Sequence, residues 1–186
     1  MAQHKVGYII GSLASASINR QLAKALVKLA PAELVMHEIP IKDLPLYSHD
    51  HDASYPAVAT AFKQAIADAD ALLFVTPEYN RSIPGGLKNA IDWGSRPWGK
   101  NSFTGKPSGV IGASVGAIGT ALAQAHLRAV LNFCNAPQMM QPEAYIQFKK
   151  DLVAEDGRVT DASTEEFLRN YMKAFAAFVA ANKARG

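Results

Sequence analysis

Cysteine is almost missing from this chain of 186 residues: Cys134 stands alone, so no internal disulfide can form. A disulfide-built secreted scaffold is excluded, and a reducing cytoplasm is the expected setting. Cys134 lies in the apolar run Val130-Leu131-Asn132-Phe133, where a buried small hydrophobe is expected rather than a reactive thiol. No apolar run approaches the roughly 20 residues that cross a bilayer, so no membrane is expected. The opening Met1-Ala2-Gln3-His4-Lys5 leads straight into a strand pattern, without the apolar stretch of a signal peptide. Charge of one sign is also scarce. The net value is +3 and scattered, too little for a nucleic-acid surface and weakly suited to phosphate-bearing ligands. Two phosphate-binding patterns are absent, the Gly-Lys-Ser/Thr of a Walker loop and the Gly-x-Gly-x-x-Gly of a dinucleotide fingerprint. There is no repeat, linker or low-complexity stretch, and 49% of residues are hydrophobic. Residues 1–186 therefore read as one domain with a sizeable core.

What is present alternates. Val6–Ile10 reads as a strand, Ile18–Leu29 as a helix and Glu33–Ile39 as a second strand. A loop rich in Asp, His and Pro runs over Ile41–Tyr55, and Pro56 opens a helix that continues through Phe62, Ile66 and Ala69. Ala71–Thr76 is strand three, apolar on both faces as a buried parallel strand must be. Leu87–Trp93 is a helix, Gly94–Lys106 irregular, Ser108–Ala113 strand four and Ala121–Phe133 a helix. Gln138–Met140 is expected to begin strand five, and Ser163 with Glu166 to form a capping box before a helix from Glu165 to Lys183. Alternation of this kind predicts an α/β fold: a doubly wound, flavodoxin-like, five-stranded parallel sheet of order 2-1-3-4-5 with helices on both faces.

In such sheets ligands bind outside the carboxyl ends of the strands. The loop after strand one, Gly11-Ser12-Leu13-Ala14-Ser15-Ala16-Ser17-Ile18-Asn19-Arg20, sets hydroxyls and free amides at a helix start, where the dipole favours an anion. Ordinary helix capping explains the same residues taken alone. Its Gly-poor, hydroxyl-rich character suits the single phosphate of a flavin mononucleotide better than a pyrophosphate. The loop after strand three, Thr76-Pro77-Glu78-Tyr79-Asn80, followed by Ser82-Ile83-Pro84-Gly85-Gly86, can set backbone amides against a flat polar ring. The loop after strand four, Ser114-Val115-Gly116-Ala117-Ile118-Gly119, opens on the same edge. Amide donors there would stabilise negative charge on a reduced flavin, although a plain turn into a helix also fits.

With these residues in view, the sequence resembles the NADPH-dependent FMN reductase family, the flavodoxin-like group of bacterial quinone, chromate, ferric and azo-dye reductases. The motifs are Gly11-Ser12-Leu13…Ser17-x-Asn19-Arg20, the run Thr76 to Trp93, and Ser114-x-Gly116. The resemblance implies that Ser12, Leu13, Ser17, Ile18 and Asn19 surround the FMN phosphate. It implies that Pro77, Glu78, Tyr79 and Asn80 line the isoalloxazine, and that Ser114, Val115 and Gly116 lie near its pyrimidine end. It also implies NADH or NADPH as hydride donor, small-molecule electron acceptors, and a homodimer or tetramer. Where many relatives carry Arg-Lys, this chain has Ala14-Ser15, which leaves the phosphate charge to the helix dipole and Arg20. No residue need act as acid or base, since the flavin performs the chemistry. His49-x-His51 with Asp50 and Asp52 reads as a solvated loop rather than a metal site. A non-enzymatic electron carrier and a regulatory flavin-binding protein remain the alternatives; carriers of that kind tend to be acidic, whereas the pI here is near 9.0.

Overall fold

The computed structural model describes residues 3–183. Five parallel strands, β1 (His4–Ile10), β2 (Leu34–Glu38), β3 (Ala71–Val75), β4 (Ser108–Ser114) and β5 (Tyr145–Gln147), form one sheet in the order β2-β1-β3-β4-β5. Five helices connect and flank them: α1 (Ile18–Leu29), α2 (Ala57–Asp68), α3 (Gly85–Ser95), α4 (Ala121–Phe133) and α5 (Ala162–Lys183). This is the doubly wound flavodoxin-like arrangement that the alternating pattern predicts. Among the described residues no helix is long and apolar enough to cross a membrane.

The period-two alternation of side chains divides the core in two. Val6, Ile10, Leu73, Val75 and Ile111 face α1 and α5, meeting Leu22, Leu26, Leu168, Met172 and Phe175. Ile9, Leu72, Phe74 and Val110 face α2, α3 and α4, meeting Phe62, Ile66, Leu87, Trp93 and Leu127. Strand β3, central and covered on both sides, is buried at every position. Trp93 is a core residue: it is fully buried, its Nε1 donates to the Pro45 carbonyl at 2.6 Å, and Tyr47 and Tyr55 meet it edge-on. The Tyr55 hydroxyl donates to the carbonyls of Trp93 and Arg96, and burial pushes its phenol up to about 12. Cys134 is buried, and burial raises its thiol.

Two segments depart from the sequence expectation. Gln138–Met140 is not strand five. Gln138 only bridges to Ser108, and the Met139 N–H donates to the Ser108 carbonyl. Pro137 and Pro142, which lack the N–H a ladder needs, bracket the stretch, and β5 forms later, at Tyr145–Gln147, against Gly112–Ser114. The final helix starts at Ala162, and the Ser163/Glu166 capping box does not form. Asp161 takes the role instead: its Oδ2 accepts from the Thr164 N–H at 2.8 Å and from the hydroxyls of Ser163 and Thr164, both at 2.7 Å. A carboxylate answers the positive end of a helix better than a hydroxyl. Those bonds, the Thr164 hydroxyl first, hold the Asp161 carboxyl down to about 2.

Gly112 shows how closely the sheet meets its ligand edge. A Cβ there would lie 2.1 Å from the Thr76 carbonyl oxygen and 2.3 Å from Thr120 Oγ1, so only glycine lets β4 pass beneath the end of β3 and the start of α4.

Candidate active site

Parallel register brings three loops to one edge. Ile10 pairs with Val75 and Val75 with Ile111, so the segments after β1, β3 and β4 leave the sheet side by side. The sequence-derived residues Ser12–Asn19, Pro77–Asn80 and Ser114–Gly116 therefore lie on loops at one edge of the sheet, where the strand order reverses.

In the first loop Ser17 is the N-cap of α1, its Oγ accepting from the Asn19 N–H at 3.2 Å. Ser12 is buried, and its Oγ accepts from the Ala14 N–H at 3.4 Å. The first turn of α1 has no acidic residue, and Ile18 opens it, so the loop keeps the positive end of the helix available to an anion. Leu13 is half exposed and packs over Gly86 at the start of α3.

Asn19 has a different position from the other residues of this loop. It is 1% exposed, its Nδ2 donates to the Ala113 carbonyl and its Oδ1 accepts from the Ala113 N–H, both at 2.9 Å. Ala113 lies on β4 just past the end of β3, where its backbone has lost a neighbouring strand. The Asn19 amide stands in for that strand. Both of its polar ends are engaged within the fold, which leaves the serines and the loop amides to face a phosphate. Arg20 is likewise engaged: its Nη1 pairs with the Glu38 carboxylate on β2 at 2.9 Å.

The second loop is a rigid structure. Tyr79 and Ser82 exchange backbone hydrogen bonds of 3.0 Å in both directions, and between them Asn80 (φ 51°) and Arg81 (φ 63°) are both left-handed, as in a type I′ turn. Asparagine tolerates that conformation, whereas an arginine is disfavoured there by about 1–2 kcal/mol. Two contacts fix the turn to α4. Glu78 Oε2 accepts from the N–H groups of Leu122 and Ala123 at 3.0 and 3.1 Å, capping a helix whose own N-cap, Thr120, makes no side-chain bond to the helix N–H groups. His126 Nδ1 lies 2.9 Å from Ser82 Oγ. Sequence reasoning placed Glu78 at the ring but not at this cap, and it singled out neither Arg81 nor His126. The left-handed tolerance of Asn80 was the available signal for the turn; nothing local announces a partner 44 residues away.

In the third loop the Ser114 Oγ accepts from the Gly116 N–H at 3.2 Å, and the Gly119 N–H closes on the Gly116 carbonyl at 3.0 Å. Val115 is 75% exposed. Leu13 and Tyr79 are also exposed, so each of the three loops offers an apolar side chain beside polar groups, the mixture that a planar ring carrying a phosphate tail requires. The residues present thus fit a flavin mononucleotide. Among the described residues no three His, Cys, Asp or Glu side chains converge on a point that could hold a metal.

A 2-1-3-4-5 parallel sheet with a serine-capped helix start, free of acidic residues, at its reversal point defines a flavodoxin-like domain. The chain belongs to the NADPH-dependent FMN reductase family, whose sequence model matches residues 4–151. This is a family of FMN-dependent NAD(P)H oxidoreductases active on quinone-type acceptors. The chain is 51% identical over 175 residues to a 2-hydroxy-1,4-benzoquinone reductase of a Burkholderia species, covering 94% of this chain and 96% of that protein. It is 41% identical over 177 residues to a quinone reductase of Escherichia coli strain K12, covering 92% and 93% of the two chains. Its fold superposes with a TM-score of 0.93 on FerB, the flavoenzyme NAD(P)H:(acceptor) oxidoreductase of Paracoccus denitrificans, at 46% identity over 96% of this chain and 98% of that one.

Proposed function

We propose that the protein binds FMN and catalyses NAD(P)H-dependent reduction of quinones, with chromate, ferric complexes and similar acceptors as further substrates. The observation that carries the reading is that the Ser12–Ser17, Pro77–Asn80 and Ser114–Gly116 loops leave the same sheet edge and expose Leu13, Tyr79 and Val115. Names of relatives that specify a quinone or a hydroxybenzoquinone support the acceptor class. Bound FMN would supply hydride-transfer chemistry between NADH or NADPH and the acceptor. The chain's own residues bind and orient. Ser12, Ser17 and the loop amides hold the phosphate, with Leu13 and Ile18 beside it. The turn at Pro77, Glu78, Tyr79 and Asn80 borders the ring, and Ser114, Val115 and Gly116 close the pyrimidine end. Asn19 keeps the edge of β4 in register beneath them.

The proposal includes a cytoplasmic homodimer or tetramer. Trp98 and Phe133, 77% and 71% exposed at the ends of α3 and α4, supply apolar surface for a second copy. The deciding experiment is spectroscopic. The purified protein, reconstituted with flavin, should be yellow, be bleached by NADH or NADPH and be recoloured by a quinone, and mass spectrometry should identify the cofactor as FMN. Initial rates should give parallel double-reciprocal lines, the mark of two separate half-reactions. Recovery of FAD, or a flavin that NAD(P)H does not bleach, overturns the reading.

A further inference from the structure

Arg81 occupies a position that chemistry does not favour for an arginine. It is the second central residue of the Tyr79–Ser82 turn, with φ 63°, where glycine or asparagine is the usual choice. The turn cannot easily relax around it. Reciprocal backbone bonds close its base, Glu78 fastens its entry to α4, and His126 holds its exit through Ser82. The side chain so presented is 67% exposed. Its partner is Glu78 Oε1, at 3.4 Å, and that carboxylate is itself 7% exposed with its other oxygen on the α4 amides. A guanidinium has five N–H donors in a rigid fork, so most of the set is left over beyond that one carboxylate, on a turn continuous with the Thr76–Asn80 loop.

We infer that Arg81 is a specificity-determining residue that favours acceptors carrying a charged oxygen beside a second oxygen, such as the enolate of a 2-hydroxyquinone. The inference rests on the reading that the Thr76–Asn80 loop borders a bound flavin. A 2-hydroxyquinone is a vinylogous acid, ionised at neutral pH; its anion shares the charge between the O2 and O4 oxygens, and the charged O2 lies beside the carbonyl oxygen on C1. Two such oxygens match the parallel N–H donors of an arginine fork, as a carboxylate does. A neutral 1,4-quinone offers one oxygen at each end and no net charge. In open water the attraction is weak and screened by salt. An acceptor stacked in the crevice excludes water from the lip, and the same charge pair then counts for more.

The test uses FMN-reconstituted protein, flavin content being established first from the visible spectrum, with the variants Arg81→Gln and Arg81→Lys. The values of kcat/KM are compared for 2-hydroxy-1,4-benzoquinone and 2-methyl-1,4-benzoquinone at low and high salt. Arg81→Gln should lower the hydroxyquinone-to-methylquinone ratio about three- to tenfold, on the scale of a single exposed charge pair. It should also flatten the salt dependence seen with the anionic acceptor. Arg81→Lys should keep the salt dependence and recover part of the ratio, because it restores the charge without the fork. A readout without turnover comes from calorimetry on the oxidised protein: benzoate should bind more tightly than benzamide, and Arg81→Gln should erase the difference. An unchanged ratio, or an equal loss with both acceptors, overturns the inference. A shift in NADPH-to-NADH preference with the acceptor ratio intact also overturns it, because Arg81 would then read the donor's phosphate. Failure of the wild-type protein to take up FMN is seen before any variant is compared; it removes the flavin reading and this inference with it.

Discussion

Replacing Asn19 by alanine separates a structural residue from a ligand. The side chain is 1% exposed and makes two hydrogen bonds of 2.9 Å, one donated to and one accepted from the backbone of Ala113. Alanine leaves that N–H and carbonyl buried without partners. Each orphaned group costs about 1–3 kcal/mol, and local relaxation recovers part of it, so the expected loss is about 2–4 kcal/mol. For a chain of this size that corresponds to a fall in Tm of about 5–15 °C. The assay is thermal and urea denaturation of the flavin-free protein, so that ligand binding does not enter the comparison. Ser17→Ala is the control at the neighbouring position; as the loss of an N-cap it should cost about 1 kcal/mol. Asn19→Asp keeps the acceptor but sets a carboxylate against the Ala113 carbonyl, and should be at least as damaging as alanine. The reasoning is refuted if Asn19→Ala leaves stability within about 0.5 kcal/mol of wild type, the range of an inconsequential substitution. A tenfold or greater loss of FMN affinity alongside that result would make Asn19 a phosphate ligand.

Two further outcomes test other parts of the structure. Glu78→Gln weakens the cap on α4, and should cost about 0.5–2 kcal/mol while speeding hydrogen exchange at the Leu122 and Ala123 amides; unchanged exchange there would show that the cap is not formed in solution. Asp161 has a carboxyl pKa lowered from 3.8 to about 2 by its bonds to Thr164 and Ser163. Its contribution is therefore present above pH 3.8 and lost as pH falls toward 2. The Tm gap between wild type and Asp161→Asn should narrow across that window, and a gap that stays constant would assign the stabilisation to something other than the carboxylate.

The legible parts of the fold were those written in short stretches of chain. Ala71–Val75 and Ser108–Ala113 are apolar enough to be central strands whatever surrounds them, and the serines before α1 announce a helix start. Those local signals suffice for strand order and for the three loops, because a parallel sheet with right-handed connections leaves few other arrangements. The rest depended on partners far along the chain. Asn19 reads as a phosphate donor until Ala113, 94 residues away, is seen to hold both ends of its amide. Arg20 reads as a free cation until β2 brings Glu38 beside it. Gln138–Met140 has strand composition, but the ladder it would join is taken up at Tyr145–Gln147, and only the path set by Pro137 and Pro142 decides between them. Asp161 caps the last helix in place of Ser163 because the helix begins earlier, at Ala162, and the Thr164 N–H is then the amide to be capped.

The strand order also governs how this chain can meet its own copies. The sheet ends on one side in β2, five residues long, with His37 and Glu38 exposed. On the other it ends in β5, three residues long, flanked by the exposed Tyr145 and Gln147. An incoming strand finds a brief ladder at either margin, too short to template the open-ended growth that flat, apolar edges invite. The long hydrogen-bonding strands are all interior, sealed by neighbours on both sides. The sheet margins thus offer another chain little to pair with, and the larger surfaces of the fold are its helical faces.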